Sequence, residues 1–135
     1  MSIRIVQLGT PRRKDEGLRI GCVRRVPRGV AKSEYALRNF YDVWFPNLAP
    51  SENLFKTAKG SAASDLDWKK FVRSYRAEMQ KPENKRCLEL LAALSHQTNF
   101  SVGCYCMDET RCHRSILREL LLEYGAAIHV DDQGG

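Results

Sequence analysis

The chain has 135 residues, of which 43% are hydrophobic and 28% are charged. These values fit one folded domain and argue against a disordered chain, and no run approaches the roughly 18 apolar residues that a membrane-spanning helix needs. The formal net charge of +6 favours anionic partners, either a small anionic ligand or nucleotide or a nucleic acid.

Apolar runs rich in β-branched residues alternate with amphipathic segments along the chain. Phe71, Tyr75 and Met79 are four residues apart and so share one helical face, while the run 100–106 has no charge, which is typical of a strand buried on both faces. In chain order, the sequence predicts strands at 3–8 and 18–23, a helix at 33–39, an extended segment at 40–46, helices at 52–58, 66–80 and 82–96, a strand at 100–106, a helix at 112–124 and a short strand at 126–130.

The alternation of strands and helices predicts an α/β fold with a small, mostly parallel sheet and helices on both faces. We expect one domain over residues 1–130 and a disordered tail over 131–135. The first eight residues are too short and too interrupted for a secretion signal, which predicts a cytoplasmic location. In that compartment the five cysteines are expected to be reduced thiols, without disulfide bonds.

Three of the five cysteines, Cys104, Cys106 and Cys112, fall within nine positions, and His113 and Arg114 follow directly. The predicted strand ends at this segment and the next helix begins there. Ligands of open α/β sheets bind beyond the carboxyl ends of the strands, and a helix N-terminus offers free N–H groups with a partial positive charge. The segment is therefore the predicted functional site, with three candidate uses.

The first use is a metal site with three thiolates and the imidazole of His113 as ligands. The spacing disfavours it, because structural zinc usually takes Cys-x-x-Cys turns and neither Cys104-x-Cys106 nor the adjacent Cys112-His113 pair provides one. We therefore predict no metal and no cofactor.

The second use is a reactive thiol. Cys106 and Arg111 bracket a loop whose outline resembles the anion-binding loops of sulfurtransferases, but the intervening Asp108 and Glu109 would repel an anion. A helix N-terminus with neighbouring positive charge lowers a thiol pKa, so Cys112 is the predicted catalytic thiolate, with His113 beside it.

The third use is anion recognition. Arg114 at the helix start is the predicted anion-binding residue. Arg24, Arg25 and Arg28, which follow the second predicted strand, are the predicted opposing wall of the cleft, and Cys104 and Cys106 complete its lining. The alternative for each arginine cluster is an ordinary solvated surface, which is the commoner use of such clusters, and the alternative for Arg114 is a structural ion pair to Asp108 or Glu109.

The segment 103–115, Gly-Cys-Tyr-Cys-Met-Asp-Glu-Thr-Arg-Cys-His-Arg-Ser, resembles the signature of domain-of-unknown-function family 488, the YeaO-like proteins. Three further stretches resemble that family: Arg-Arg-Val-Pro-Arg-Gly at 24–29, Leu-Ala-Pro-Ser at 48–51, and Trp-Lys-Lys-Phe with a later Tyr and Glu at 68–78. The resemblance covers residues 3 to 128 and implies the fold and the place of the site. It implies no reaction, because the family has no established activity.

The chain departs from this pattern at Cys106, where the family has an acidic residue. An acid–base carboxylate at that position in relatives would be missing here. Taken together, the sequence predicts an anion- or nucleotide-binding cleft that supports thiol-dependent chemistry. The alternative is a non-catalytic module that binds nucleic acid through a basic face.

Overall fold

The fold is described from a computed structural model, which covers residues 1–54, 65–106 and 112–130. Four strands form one sheet in which every pair is parallel, in the order β1–β4–β2–β3. The predicted α/β class and the parallel pairing are confirmed. The strands are β1 (Ile3–Gln7), β2 (Leu18–Gly21), β3 (Val43–Trp44) and β4 (Phe100–Cys104).

Strand β4 lies at the centre of the sheet, with β1 on one side and β2 on the other. All five of its residues are buried, which explains why this run carries no charge. Cys104 pairs with Gln7 of β1, and Gly103 pairs with Gly21 of β2. The carboxyl ends of the three strands therefore meet at one edge of the sheet.

Three long helices pack on one main core, and all three match predicted helices to within two residues at each end. In this core Tyr75 and Met79 are fully buried, and the Tyr75 hydroxyl donates a hydrogen bond to the carbonyl of Leu48 at 2.5 Å. That bond ties the first helix to the turn after β3. The helices are α1 (Asp65–Met79), α2 (Pro82–Leu94) and α3 (His113–Glu123).

The other sheet face carries a buried ion pair. Arg19 of β2 and Glu16 are each 1% exposed, and Arg19 donates two hydrogen bonds to the Glu16 carboxylate at 2.7 and 2.9 Å. Ser101 of β4 donates a third at 2.6 Å. The carbonyls of Thr10 and Asn39 accept from the same guanidinium at 2.9 and 2.7 Å, so the segments around these two residues cover this face.

Three predicted elements differ from the structure. The predicted helix at 33–39 is a 3₁₀ turn at Lys32–Glu34 followed by turns, because Asn39 adopts a positive φ of 63° that ends helical geometry. The extended segment shortens to β3, since Pro46 opens a 3₁₀ turn. The last predicted strand is reduced to one bridge between Ile3 and Ile128.

Residues 52–54 are helical, and the rest of the helix predicted at 52–58 lies outside the described residues. The predicted loop at 107–111 and the predicted disordered tail at 131–135 also lie outside the described residues. Within the part of the chain that the structure describes, no helix has the length and apolarity that crossing a membrane requires.

Candidate functional site

Cys104 reaches the candidate site as the last residue of β4, in a sheet that is closely packed at this point. A Cβ at the preceding Gly103 would lie 2.6 Å from the carbonyl oxygen of Val6 and 2.9 Å from a methyl carbon of Leu8. Only glycine permits this approach of β1 to β4. The close packing fixes where the Cys104 thiol lies.

Cys112 is the residue just before α3, and its extended backbone (φ −127°, ψ 150°) returns its side chain to the same edge of the sheet. Its sulphur lies 2.9 Å from that of Cys104. The Sγ atoms of Cys104, Cys106 and Cys112 all lie within 4.8 Å of one another. We call these three residues the thiol cluster.

The three thiols differ in their access to solvent. Cys104 and Cys112 are 2% and 3% exposed, whereas Cys106 is exposed. A reagent from solution therefore reaches Cys106 first, and the other two thiols lie beneath it.

The pKa of the exposed thiol also differs from the pKa values of the two buried thiols. Hydrogen bonds from the Cys104 and Cys112 thiols, together with the nearby charge of Arg114, hold the pKa of Cys106 well below its usual value. The contact with Cys106 raises the pKa of Cys104 to about 12, and hydrogen bonding to Cys104 and Cys106 together with burial raises the pKa of Cys112. One negative charge on the cluster is therefore carried by Cys106.

Arg114, in the first turn of α3, is only 4% exposed, and its Nε is buried with no hydrogen-bond partner among the described residues. Burying a guanidinium costs several kcal/mol, because the ion loses its hydration on leaving water, unless an opposite charge compensates that loss. The positive charge of Arg114 lowers the pKa values of Cys104 and Cys106, which places it in electrostatic reach of the cluster. A thiolate at Cys106, or an anionic ligand beside it, would add a negative charge near this guanidinium.

His113 lies beneath the cluster. Its Nε2 is 2.8 Å from the carbonyl oxygen of Cys22, and its Nδ1 is 3.7 Å from the sulphur of Cys112. A carbonyl only accepts hydrogen bonds, so Nε2 carries the proton and the neutral ring presents a lone pair at Nδ1. Burial lowers the pKa of His113, which keeps the ring neutral. The ring also packs edge-on against Tyr75, with centroids 5.6 Å apart.

Two arginines of the predicted wall, Arg24 and Arg25, have partners outside the thiol cluster. Arg24 donates hydrogen bonds to the carbonyls of Pro46, Ala49 and Pro50, at 3.0 to 3.3 Å, and so holds the loop after β3. The Arg25 guanidinium pairs with Glu52 at 3.0 Å. The side chain of Arg28 is exposed.

Sequence reasoning missed two neighbours of the cluster. Tyr105 lies between the two strand-end cysteines, and its hydroxyl donates to the carbonyl of Arg25 at 2.8 Å. Tyr41 is buried, packs against the backbone of Gly21, and has a hydroxyl with no partner among the described residues. The only sequence signal for this packing is Gly21 and Gly103, two glycines in adjacent buried strands.

The thiol cluster is also the group of side chains best suited to hold a metal within the described ranges. Sulphurs that each lie about 2.3 Å from a tetrahedral zinc ion would be about 3.8 Å apart. The 2.9 Å between Cys104 and Cys112 is shorter, so these two sulphurs would have to move apart to bind one zinc ion.

These observations define an α/β protein with a small parallel sheet and a cluster of three thiols, one of them exposed, at the carboxyl edge of that sheet. A family model described as the active DUF488-N3 subclade, DUF488-N3a, matches residues 3–125. The chain therefore belongs to the DUF488 family, which confirms the membership that the sequence predicted. No curated protein and no solved structure matches the chain significantly.

Proposed function

We propose that this protein is a thiol-dependent enzyme in which Cys106 is the nucleophile and Arg114 binds an anionic group of the substrate. The observation that carries the proposal is the arrangement of the thiol cluster, with one exposed thiol in contact with two buried ones beside a buried guanidinium. The word "active" in the description of the matching family model agrees with a catalytic role.

The sequence led us to expect the thiolate at Cys112, and the geometry favours Cys106 for that role. Cys112 is buried and its pKa is raised, so at neutral pH it is a thiol that donates a hydrogen bond. Cys106 is exposed and accepts such bonds as a thiolate. Cys112 then acts by stabilising the nucleophile, and His113 positions Cys112 through its contact with the Cys22 carbonyl.

Arg114 has two uses in this proposal. In the free enzyme its charge stabilises the Cys106 thiolate. When an anionic substrate enters, the same guanidinium attracts the anion to the nucleophile, because a poorly hydrated site strengthens the attraction between opposite charges. A small anionic ligand or a nucleotide is the substrate class that fits this pair of charges.

The proposal is tested by the pH dependence of alkylation with iodoacetamide. At about pH 6, we expect Cys106 to react at least about tenfold faster than Cys87, because only a thiolate attacks the reagent. Cys87 is the matched control: it is partly exposed, it lies on α2, and burial, with the neighbouring charge of Glu83, raises its pKa. Equal labelling of the two cysteines at that pH would contradict the proposal.

The alternative function, a non-catalytic module that binds nucleic acid, finds no specific support in the described residues. Several arginines that contribute to the net charge lie in ion pairs with carboxylates, as with Arg12 and Asp42 at 2.7 Å or Arg76 and Glu123 at 2.8 Å. Salt-dependent retention on immobilised nucleic acid tests this alternative, and absence of retention at low salt would exclude it.

A further inference from the structure

The thiol cluster holds two more thiols than a single nucleophile needs. Both are buried at 2% and 3% exposure, and their sulphurs lie 2.9 Å apart, closer to each other than two separate packing residues require. Cys106 lies between this pair and solvent, with its own sulphur within 4.8 Å of both. Among the described residues, Cys106 is therefore the member of the cluster that an oxidant from solution reaches most directly.

We propose that the thiol cluster is a redox relay, in which Cys106 reduces a hydroperoxide and then passes the oxidation to Cys104 and Cys112 as a buried disulfide. This rests on the proposed function, because it uses the same Cys106 thiolate. It adds a substrate class, the hydroperoxides, and an electron source within the chain.

In the first step the Cys106 thiolate attacks the terminal oxygen of the hydroperoxide. The S–O bond forms, the O–O bond breaks, and the leaving alkoxide takes a proton from solvent to become an alcohol. Sulphur loses two electrons and the peroxide gains them, which leaves Cys106 as a sulfenic acid. The guanidinium of Arg114 stabilises the charge that develops on the leaving oxygen.

In the second step the Cys112 thiol attacks the Cys106 sulphur. The S–S bond forms, the S–O bond breaks, and the hydroxide leaves as water with the proton of Cys112. In the third step Cys104 attacks the Cys112 sulphur, which lies 2.9 Å away in the reduced protein. Cys106 departs as a thiolate, the leaving group favoured by its lowered pKa, and the proton of Cys104 goes to solvent.

The three steps together convert one hydroperoxide and two thiols into one alcohol, one water and one disulfide. Cys106 ends as the thiolate it was at the start. Continued turnover then requires an external dithiol to reduce the Cys104–Cys112 disulfide by thiol–disulfide exchange.

The test uses the full chain, reduced and freed of reductant, treated with one equivalent of hydrogen peroxide and then alkylated. We expect a disulfide between Cys104 and Cys112, with Cys106 alkylated as a free thiol. Proteolysis distinguishes the three cysteines. Trypsin cuts after Arg111 and separates Cys112 from the other two, and chymotrypsin cuts after Tyr105, between Cys104 and Cys106. A wild-type protein that accumulates sulfinic acid at Cys106 without any disulfide would overturn the proposal.

Three variants separate the steps. Cys106→Ser should form the Cys104–Cys112 disulfide at least about a hundredfold more slowly, since the buried thiols lose their access to the oxidant. Cys112→Ser should leave Cys106 oxidised, as a sulfenic acid that dimedone traps or as a disulfide with the neighbouring Cys104. Cys104→Ser should stop at a Cys106–Cys112 disulfide. Unchanged disulfide formation in Cys106→Ser would overturn the relay, and Cys87→Ser, on α2, should behave as wild type.

The relay and the proposed function fail in different ways. If iodoacetamide selects Cys106 at about pH 6 but peroxide yields no Cys104–Cys112 disulfide, the relay is overturned and the nucleophile stands. If iodoacetamide does not select Cys106, the proposed function fails. A metal ion retained stoichiometrically by protein purified without chelator, and lost in Cys104→Ser, would assign the cluster to metal binding and overturn the relay.

Discussion

The Nε2 atom of His113 lies 2.8 Å from the main-chain carbonyl oxygen of Cys22. This contact joins the first residue of α3 to the residue that follows β2, and it turns the Nδ1 face of the ring towards Cys112. His113 is thus placed to fix the position of the buried Cys112 thiol.

Replacement of His113 by Phe should keep the ring packing against Tyr75 and remove the hydrogen bond to Cys22. Because the buried carbonyl then has no donor, we expect the free energy of unfolding to fall by about 1–3 kcal/mol in urea denaturation. The matched control is His96→Phe, which also removes a contact of 2.8 Å with a carbonyl, that of Gly125, at an exposed position. An equal loss in the two variants would contradict the prediction.

The pH dependence of stability follows from the same residue. Burial lowers the pKa of His113 in the folded protein, so the unfolded chain binds a proton more readily. The contribution of His113 is therefore complete above its usual pKa of about 6.5 and is lost as the pH falls below it. Urea denaturation between about pH 5 and pH 7 should show a decrease towards acid that is weaker in His113→Phe. If stability decreases equally steeply towards acid in the wild type and in His113→Phe, groups other than His113 cause the decrease.

Glu16→Gln should be strongly destabilising. It leaves the Arg19 guanidinium, 1% exposed, without its carboxylate, and removing one partner of a buried ion pair costs about 3–5 kcal/mol. The neighbouring Asp15 is the matched control, because its pair with Arg4 has a carboxylate that is 69% exposed, and Asp15→Asn should cost less than about 1 kcal/mol. Thermal or urea unfolding of the two variants gives the comparison, and similar losses would refute it.

The Glu16–Arg19 ion pair also predicts how the free energy of unfolding depends on pH in acid. Burial alone would raise the pKa of Glu16, but the hydrogen bonds from Arg19 and Ser101 outweigh it, and the net pKa is lowered. A carboxyl with a lowered pKa stabilises the fold above its ordinary value near 4.5 and loses that effect as the pH falls through the folded value. Glu16→Gln should therefore flatten the loss of stability below about pH 4.5. A wild-type slope in the variant would be the contrary result.

Gly103→Ala tests the packing that places Cys104. Its Cβ would lie 2.6 Å from the Val6 carbonyl oxygen, which is backbone and cannot turn aside. We expect a loss of at least about 2 kcal/mol in unfolding free energy, together with slower alkylation of Cys106, because the end of β4 must shift. Gly29→Ala is the control: Gly29 has φ +73° with nothing within 4 Å, so the variant carries only backbone strain of about 1–2 kcal/mol and should leave alkylation unchanged.

Arg114→Met should change the reactivity of Cys106 while leaving the free energy of unfolding nearly unchanged. Met removes the cost of burying the guanidinium, whose Nε has no partner among the described residues, and the thiolate that it leaves behind, at Cys106, is exposed. We therefore expect the free energy of unfolding to change by less than about 1 kcal/mol. The Cys106 thiolate loses a nearby positive charge, so its pKa should rise by about one unit, and the midpoint of its alkylation rate plotted against pH should move up by the same amount. Unfolding curves and pH–rate profiles measured on the same preparation give the comparison, and a midpoint that stays or falls would contradict the proposed role.

Much of the fold is predictable from the sequence because its signals are local. The uncharged run of β4 and the regular apolar spacing of α1 predict those elements closely. The parallel arrangement then brings the strand end and the start of α3 to one edge of the sheet, so the region of the site is predictable too.

The assignment of roles within the site depends on where each side chain turns, which no spacing reveals. Strand alternation predicts that Cys104 and Cys106 share one face, but β4 ends at Cys104, and Cys106 lies beyond it in solvent. A helix start predicts an accessible thiolate at Cys112, but its extended backbone turns the sulphur inward. No sequence pattern predicts the buried Glu16–Arg19 pair either, because Glu16 lies in a polar segment that is typical of an exposed turn.

The position of β4 also has a consequence for how the chain is made. In this sheet β1 pairs with β4, which lies between β1 and β2. Strand β1 therefore has no partner strand until residues 100–104 have been made. A growing polypeptide on the ribosome therefore holds β1 unpaired while about three quarters of the chain emerges, and the sheet closes only after that. The strand that completes the sheet is also the one that carries Cys104, so the three sulphurs of the thiol cluster can come together only after residues 100–112 have been made.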